Sequence, residues 1–132
     1  MPIEVGSAND LAAAFEKITS ENAKALMVIA GALTYTLEAQ IAELALAHHL
    51  PSCHAFKETV AAGGLVSLGP DLFEMAKQGA EYVDRIVRGA SPADLPVQQP
   101  SRYEMQINLK TANALGLSLS PAILARADKV ID

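Results

Sequence analysis

The sequence predicts an α/β domain: a doubly wound, mostly parallel sheet with helices on both faces. Short apolar runs alternate with amphipathic helical segments along the chain, the pattern of strands linked by crossover helices. Hydrophobic residues make up 51% of the 132 residues and charged ones 19%, which supports one core and excludes a disordered chain. The single cysteine, Cys53, excludes a disulfide-stapled scaffold.

The elements follow in order. Pro2 to Val5 reads as a short extended segment ending at Gly6. Ser7 and Asp10 form a capping-box pattern ahead of a helix carrying Leu11, Phe15 and Ile18 on its dry face. The run Ala25 to Ile29 is continuously apolar, as in a strand buried on both faces. Thr34 or Thr36 would cap the next helix, Tyr35 to His49, with Leu37, Ile41, Leu44 and His48 on one stripe; Leu50-Pro51 stops it. Ser52 to Phe56 is a short strand. Lys57 to Ala62 is a short helix closed by Gly63-Gly64, and Leu65 to Leu68 a strand ended by Gly69-Pro70.

Asp71 opens the strongest helix, to Arg88, with Glu74 completing a capping-box-like pair. Leu72, Ala76, Gly79, Val83 and Ile86 form its apolar stripe, and Gly89 sits at the left-handed cap position. Ala90 to Ser101 holds Pro92, Pro96 and Pro100 and reads as a crossing loop. Tyr103 to Leu109 alternates as a strand. Asn108 caps a short helix to Leu115, and Ser120-Pro121 starts a last helix with Ile123, Leu124, Ala127 and Val130 or Ile131 buried.

Charge narrows the function classes. Ten basic against fifteen acidic residues give a net charge of −5, with no basic block, so neither nucleic acid nor an anionic membrane surface is an expected partner. Ala25 to Leu33, the longest apolar stretch, is too short for a bilayer, which needs about 20 residues. Met1 to Val5 lacks a basic start and a long apolar run, so no export signal is expected there.

No phosphate loop or nucleophile elbow occurs, and no cofactor is expected. His48, His49, Cys53 and His54 are metal-ligand types, but neighbours on a helix or strand diverge, so no metal site is expected. Cys53 reads as an inert, buried thiol. The chain is not expected to be an enzyme.

A better guide is geometric, because ligands in open α/β sheets gather at the strands' C-terminal ends. There Tyr35 and Phe56 offer aromatic faces, and Thr34, His54 and Asp71 offer polar groups. Caps, for Thr34 and Asp71, and core, for Phe56, are the alternative uses.

Several stretches also form a recognisable series: Gly63-Gly64-Leu65-Val66-Ser67-Leu68-Gly69-Pro70-Asp71, Ala80 to Ile86, Gly89 to Pro100, Ile107 to Ala112, Ala114 to Leu117 and Leu124 to Asp128. Together they resemble the C-terminal half of an ABC-transporter substrate-binding protein of the tryptophan/tyrosine type, with a type I periplasmic-binding fold. The resemblance implies a two-lobed clamp without catalysis that holds a small organic solute, such as an amino acid, and passes it to an ABC permease outside the cytoplasmic membrane. Without an export signal, a chain starting naturally at Met1 would stay cytoplasmic.

By that layout residues 1–132 form one domain, the C-terminal lobe. Gly69 to Asp71 and Pro96 to Tyr103 would be hinge segments, and the helix over 71–89 would pack on a missing N-terminal lobe or a partner subunit. A homodimer is therefore expected, since exposed edges and apolar stripes seek partners. The expected ligand wall is Thr34, Tyr35, His54, Phe56, Gly69 and Asp71. Two departures stand out: Leu68 replaces the family's usual aromatic residue, and Ala30-Gly31-Ala32 its usual Pro with Asp or Asn. They leave an alternative reading, a truncated paralogue that assembles with itself and binds no solute.

Overall fold

The computed structural model describes Met1–Asp132. Its five strands lie in the order β1 (Leu26–Met27), β2 (Ser52–His54), β3 (Val66–Pro70), β4 (Tyr103–Asn108) and β5 (Lys129–Ile131). Pairs β1–β2, β2–β3 and β4–β5 are parallel, and β3–β4 is antiparallel. The helices are α1 (Leu11–Ser20), α2 (Ala32–Thr36), α3 (Glu38–Ala47), α4 (Lys57–Ala61), α5 (Leu72–Val87), α6 (Leu109–Ala114) and α7 (Pro121–Leu124). This is the mostly parallel α/β sheet that the alternation predicts.

Local chemistry explains most boundaries. Asp71 caps α5 by accepting from the N–H groups of Phe73 and Glu74, and Asn108 caps α6 by accepting from Thr111. Ser120 caps α7 through Ile123. At the other ends, Asn22, His49, Gly63, Gly89 and Gly116 all have positive φ. Each is followed by a residue whose N–H reaches back to a carbonyl of the last turn, as from Leu50 to Ala45 and from Ala90 to Arg85. These are Schellman closures, which satisfy carbonyls that the helix end leaves open.

Some elements differ from expectation. Pro2 to Val5 is extended but makes no backbone hydrogen bond. Ile3 and Val5 line an apolar cavity together with β1 and residues of α1 and α3, and the segment pairs with no strand of the sheet. Ser7 does not cap through its side chain; instead Asp10 Oδ2 accepts from Gly6 N and Ser7 Oγ. The helix expected from Tyr35 starts earlier, at Ala32, and is interrupted at Leu37. Neither Thr34 nor Thr36 caps it, because their hydroxyls donate backwards to Ile29, Gly31 and Ala32 carbonyls. β3 continues through Gly69 and Pro70, which pair with Glu104 and Tyr103. The last helix stops at Leu124. Asp128 then clasps Met105, donating N–H to its carbonyl and accepting its N–H on Oδ2, and Lys129–Ile131 joins the sheet.

The largest apolar cluster joins α1 to α3 through Leu11, Phe15, Ile18, Leu37, Ile41 and Ala45, with Leu50 beneath. Each fully buried large side chain there is worth about 1.5–3 kcal/mol.

The two sheet faces are buried unequally. Residues paired in register share a face. One face carries Ser52, His54, Ser67, Gln106 and Asn108, all buried, beneath α4, whose Val60 carbonyl accepts from Asn108 Nδ2. The other carries the row Met27, Cys53, Val66, Ile107 and Val130. Ile107 is buried, but Met27 is 71% exposed, and so is Ile29 further along β1's path. The run Ala25–Ile29 is therefore not buried on both sides: Met27 and Ile29 are exposed on the edge strand, while Cys53 and Val66 on the same face are half-buried.

Candidate functional site

At the C-terminal ends of β1, β2 and β3 the chain forms an open pocket of about 380 Å³, lined by Ala30, Gly31, Ala32, Tyr35, Phe56 and Leu72. Each arrives there by local geometry. Gly31 is the extended N-cap residue that leads from β1 into α2, which presents Tyr35. Phe56 is the extended N-cap residue of α4. Leu72 is the first residue of α5, set by the Asp71 cap. Tyr35 and Phe56 meet edge to face, with ring centroids 5.1 Å apart and planes at 87°, a favoured aromatic geometry. The pocket is almost wholly apolar and has room for a flat or branched apolar group.

Beside it lies an ion network that sequence reading did not find. Lys57 Nζ sits 3.3 Å from Asp71 Oδ2 and 3.0 Å from Glu104 Oε2, and Arg102 Nη2 sits 3.1 Å from Glu104 Oε1. The Glu104 hydrogen bond first, and that of Asp71 after it, lift the Lys57 ammonium above the usual lysine range despite partial desolvation. Burial alone would raise the Asp71 carboxyl, but the N–H groups of Glu74 and Phe73, together with Lys57, hold it below the usual carboxylate range. The network thus joins the starts of α4 and α5 to β4. Lys57 follows Phe56 directly in sequence, but its partners are 14 and 47 positions away, which no local pattern reveals.

The six residues expected on the ligand wall are dispersed. Only Tyr35 and Phe56 line the pocket. Asp71 adjoins it, its carboxylate already engaged by the α5 cap and Lys57. Thr34 faces the α1–α3 cavity instead. His54 is 3% exposed on the face under α4, with Nε2 2.9 Å from Ser52 Oγ, and burial pushes its pKa down to about 4. Gly69 is buried in β3 against Ala55.

The histidines and cysteine occupy separate places. His48 Nδ1 meets Thr19 Oγ1 at 3.1 Å and its ring tilts on Phe15. His49 is the left-handed closure of α3. Cys53 is half-buried on the sheet face that carries Met27 and Val66, and burial raises its thiol pKa, which disfavours a nucleophilic thiolate.

A family model described as ABC transporter substrate binding protein matches residues 1–131. No curated relative matches the sequence. Among solved structures, the ABC domain in complex with L-Trp from Streptococcus pneumonia superposes with a TM-score of 0.89 at 26% identity, over 98% of this chain and 43% of that one. A conserved domain protein from Vibrio cholerae O1 biovar El Tor gives 0.87 at 26%, over 96% and 42%. The ligand-free, open form of CD0873, a substrate binding protein with adhesive properties from Clostridium difficile, gives 0.65 at 18%, over the same shares, a likeness of fold. The chain thus spans less than half the length of the structures it matches. No helix is long and apolar enough to cross a membrane.

Proposed function

Because the chain belongs to the family of ABC transporter substrate-binding proteins, we propose that it binds a small organic solute of the amino-acid class for hand-over to the permease of an ABC importer, outside the cytoplasmic membrane. The family is one of binding proteins, not enzymes. What supports the choice of solute is the Tyr35–Phe56 pocket at the strand ends. An edge-to-face pair beside an apolar hollow suits an aromatic or branched side chain better than a charged one. The L-Trp held by the pneumococcal neighbour points the same way. Tyr35 and Phe56 are the contacting residues in this reading. Asp71 borders the pocket at the start of α5 and shapes its wall, whereas Thr34, on the α1–α3 cavity, and the buried His54 and Gly69 do not touch the solute. A second copy of the chain supplies the opposite wall of the cleft.

The chain contains no tryptophan, so indole fluorescence reports added L-Trp alone. Titration is expected to give a saturable blue shift with L-Trp, competed by L-Tyr and L-Leu more strongly than by L-Lys. Tyr35→Ala and Phe56→Ala should each weaken binding about tenfold or more, the loss of one aromatic contact. Saturable binding unchanged in both variants would move the site elsewhere. No binding of any amino acid would favour the second reading, a self-assembling module without solute, for which the exposed apolar stripe of α5 is the supporting observation.

A further inference from the structure

Two of the pocket residues stand next to members of the ion network. Phe56 precedes Lys57, and Leu72 follows Asp71. Neither wall is set by its own helix alone. α4 has five residues, and its N-cap, Phe56, offers no side-chain acceptor to the first turn; so short a helix does not hold its own ends. Val60 and Thr59 anchor the second half of α4, in the core and to Glu38. At its start the side-chain bonds are those of Lys57. Asp71 divides its oxygens: Oδ1 accepts from the N–H groups of Phe73 and Glu74 at the head of α5, and Oδ2 faces the Lys57 ammonium. One carboxylate thereby sets the head of α5 against the head of α4. Glu104 anchors the lysine to the sheet, because β4 pairs Glu104 with Gly69. The Asp71 N–H donates to the Arg102 carbonyl beside it.

We propose that Lys57 is a positioning residue for the solute pocket: bridging Asp71 and Glu104, its ammonium holds Phe56 and Leu72 at the separation that admits the solute's side chain. This rests on the pocket reading given above and adds a residue that lies outside the pocket. Lys57 does not line the apolar hollow; it acts through the residue before it and the residue after Asp71. The charges explain why a cation is needed there. The side chains of Asp71 and Glu104 are only 10% and 13% exposed. Without the ammonium, two poorly hydrated carboxylates would share one space, with Arg102 on the other oxygen of Glu104 as their remaining cation. Like charges so placed repel. The heads of α4 and α5 would part, and the hollow between Phe56 and Leu72 would widen. Every group in the network belongs to this chain, so neither more chain nor a second copy is needed to assemble it.

The chain has three phenylalanines, Phe15, Phe56 and Phe73, so labelling with para-fluorophenylalanine gives three fluorine NMR lines, assigned by replacing each with leucine in turn. Tyr35, whose ring centroid lies 5.1 Å from that of Phe56, shifts the Phe56 line through its ring current, and Tyr35→Leu removes that shift. Lys57→Met keeps the stem and removes the charge. In it the Phe56 line should move towards its position in Tyr35→Leu while the buried Phe15 line stays, and Lys57→Arg should restore it. L-Trp affinity, read by the indole titration, should fall about tenfold in Lys57→Met and recover in Lys57→Arg. If Lys57→Met lacks the folded far-UV signal, Glu104→Gln carries the same expectation for the Phe56 line, since it loosens the ammonium from the sheet. A Phe56 line that stays in place would overturn the proposal, whatever the melting point or the affinity does, as would one displaced equally by Lys57→Arg. Absence of L-Trp binding in the unaltered chain would overturn the pocket reading instead, and the fluorine lines would still decide whether Lys57 places Phe56.

Discussion

A Cβ placed on residue 69 would stand 1.7 Å from the carbonyl oxygen of Ala55. That is a clash with backbone, which no rotamer relieves. Gly69 is thus fixed by close approach between β3 and the turn after β2. Gly69→Ala should cost at the upper end of the about 1–3 kcal/mol typical of overpacking, read as a lower urea midpoint. The family layout assigns this glycine to a hinge, because a Gly-Pro step is visible in the sequence and the carbonyl of Ala55 is not. His54 shows a similar limit. Its place near a strand end was legible, but which sheet face it takes depends on register with Ser67. That register buries it as a neutral imidazole with a pKa of about 4. The unfolded chain, with histidine near about 6.5, binds the proton first. Stability should therefore fall as the pH drops from about 6.5 to 4, by on the order of 3 kcal/mol. Glu38, lifted by burial, titrates nearby with the opposite sign, so the readout is the difference from His54→Gln. Urea melts at pH 7 and pH 4.5 should bring the two proteins' stabilities closer at the lower pH; parallel curves would mean the imidazole is not desolvated.

Elements were most legible where their chemistry is local. The caps at Asp71, Asn108 and Ser120 were readable because a capping side chain meets an N–H only two or three residues on. The closures at Gly63, Gly89 and Gly116 were readable because glycine tolerates positive φ. What escaped depends on distant partners. Pro2–Val5 has strand chemistry and no strand beside it, whereas Lys129–Ile131 is brought into the sheet by Asp128 and Met105, 23 positions apart. Asp71 combines both kinds of information, since its cap is local and its bond to Lys57 is not. Two variants separate them. Asp71→Asn keeps an oxygen for Phe73 and Glu74 and loses the ion pair; Asp71→Ala loses both. The alanine variant should melt lower than the asparagine variant, with a weaker helical signal. Equal melting points would assign the residue's whole effect to Lys57. The ion pair itself should weaken as the pH falls below the usual carboxylate range and Asp71 takes up its proton, and as it rises past the lifted pKa of Lys57.

At the scale of the molecule, the order of elements carried the fold, and burial decides what it lacks. Only 23 of 132 residues are buried, so the chain hides little apolar area for its length, and its own core leaves much of the conformational entropy of folding to be offset elsewhere. The unpartnered stripe of α5 could be read from Leu72 to Ile86 in the sequence. The exposure of Met27 and Ile29 could not, because a continuous apolar run looks the same whether one side or both are covered. If a second copy completes the fold, folding and association are one equilibrium, and stability depends on concentration by mass action. A tenfold rise in protein should then add about 1.4 kcal/mol to the dimer and raise its thermal midpoint by about 3 °C. In Val83→Glu, which puts a charge on the exposed stripe of α5, the midpoint should be lower and independent of concentration. A midpoint that stays constant in the unaltered chain would mean that 23 buried residues suffice for an independent fold, and that α5 is held out in solvent without a partner. A midpoint that moves with concentration in both proteins would mean that association runs through another surface, with the apolar slot beside β1, between Ile3 and Met27, the next to test.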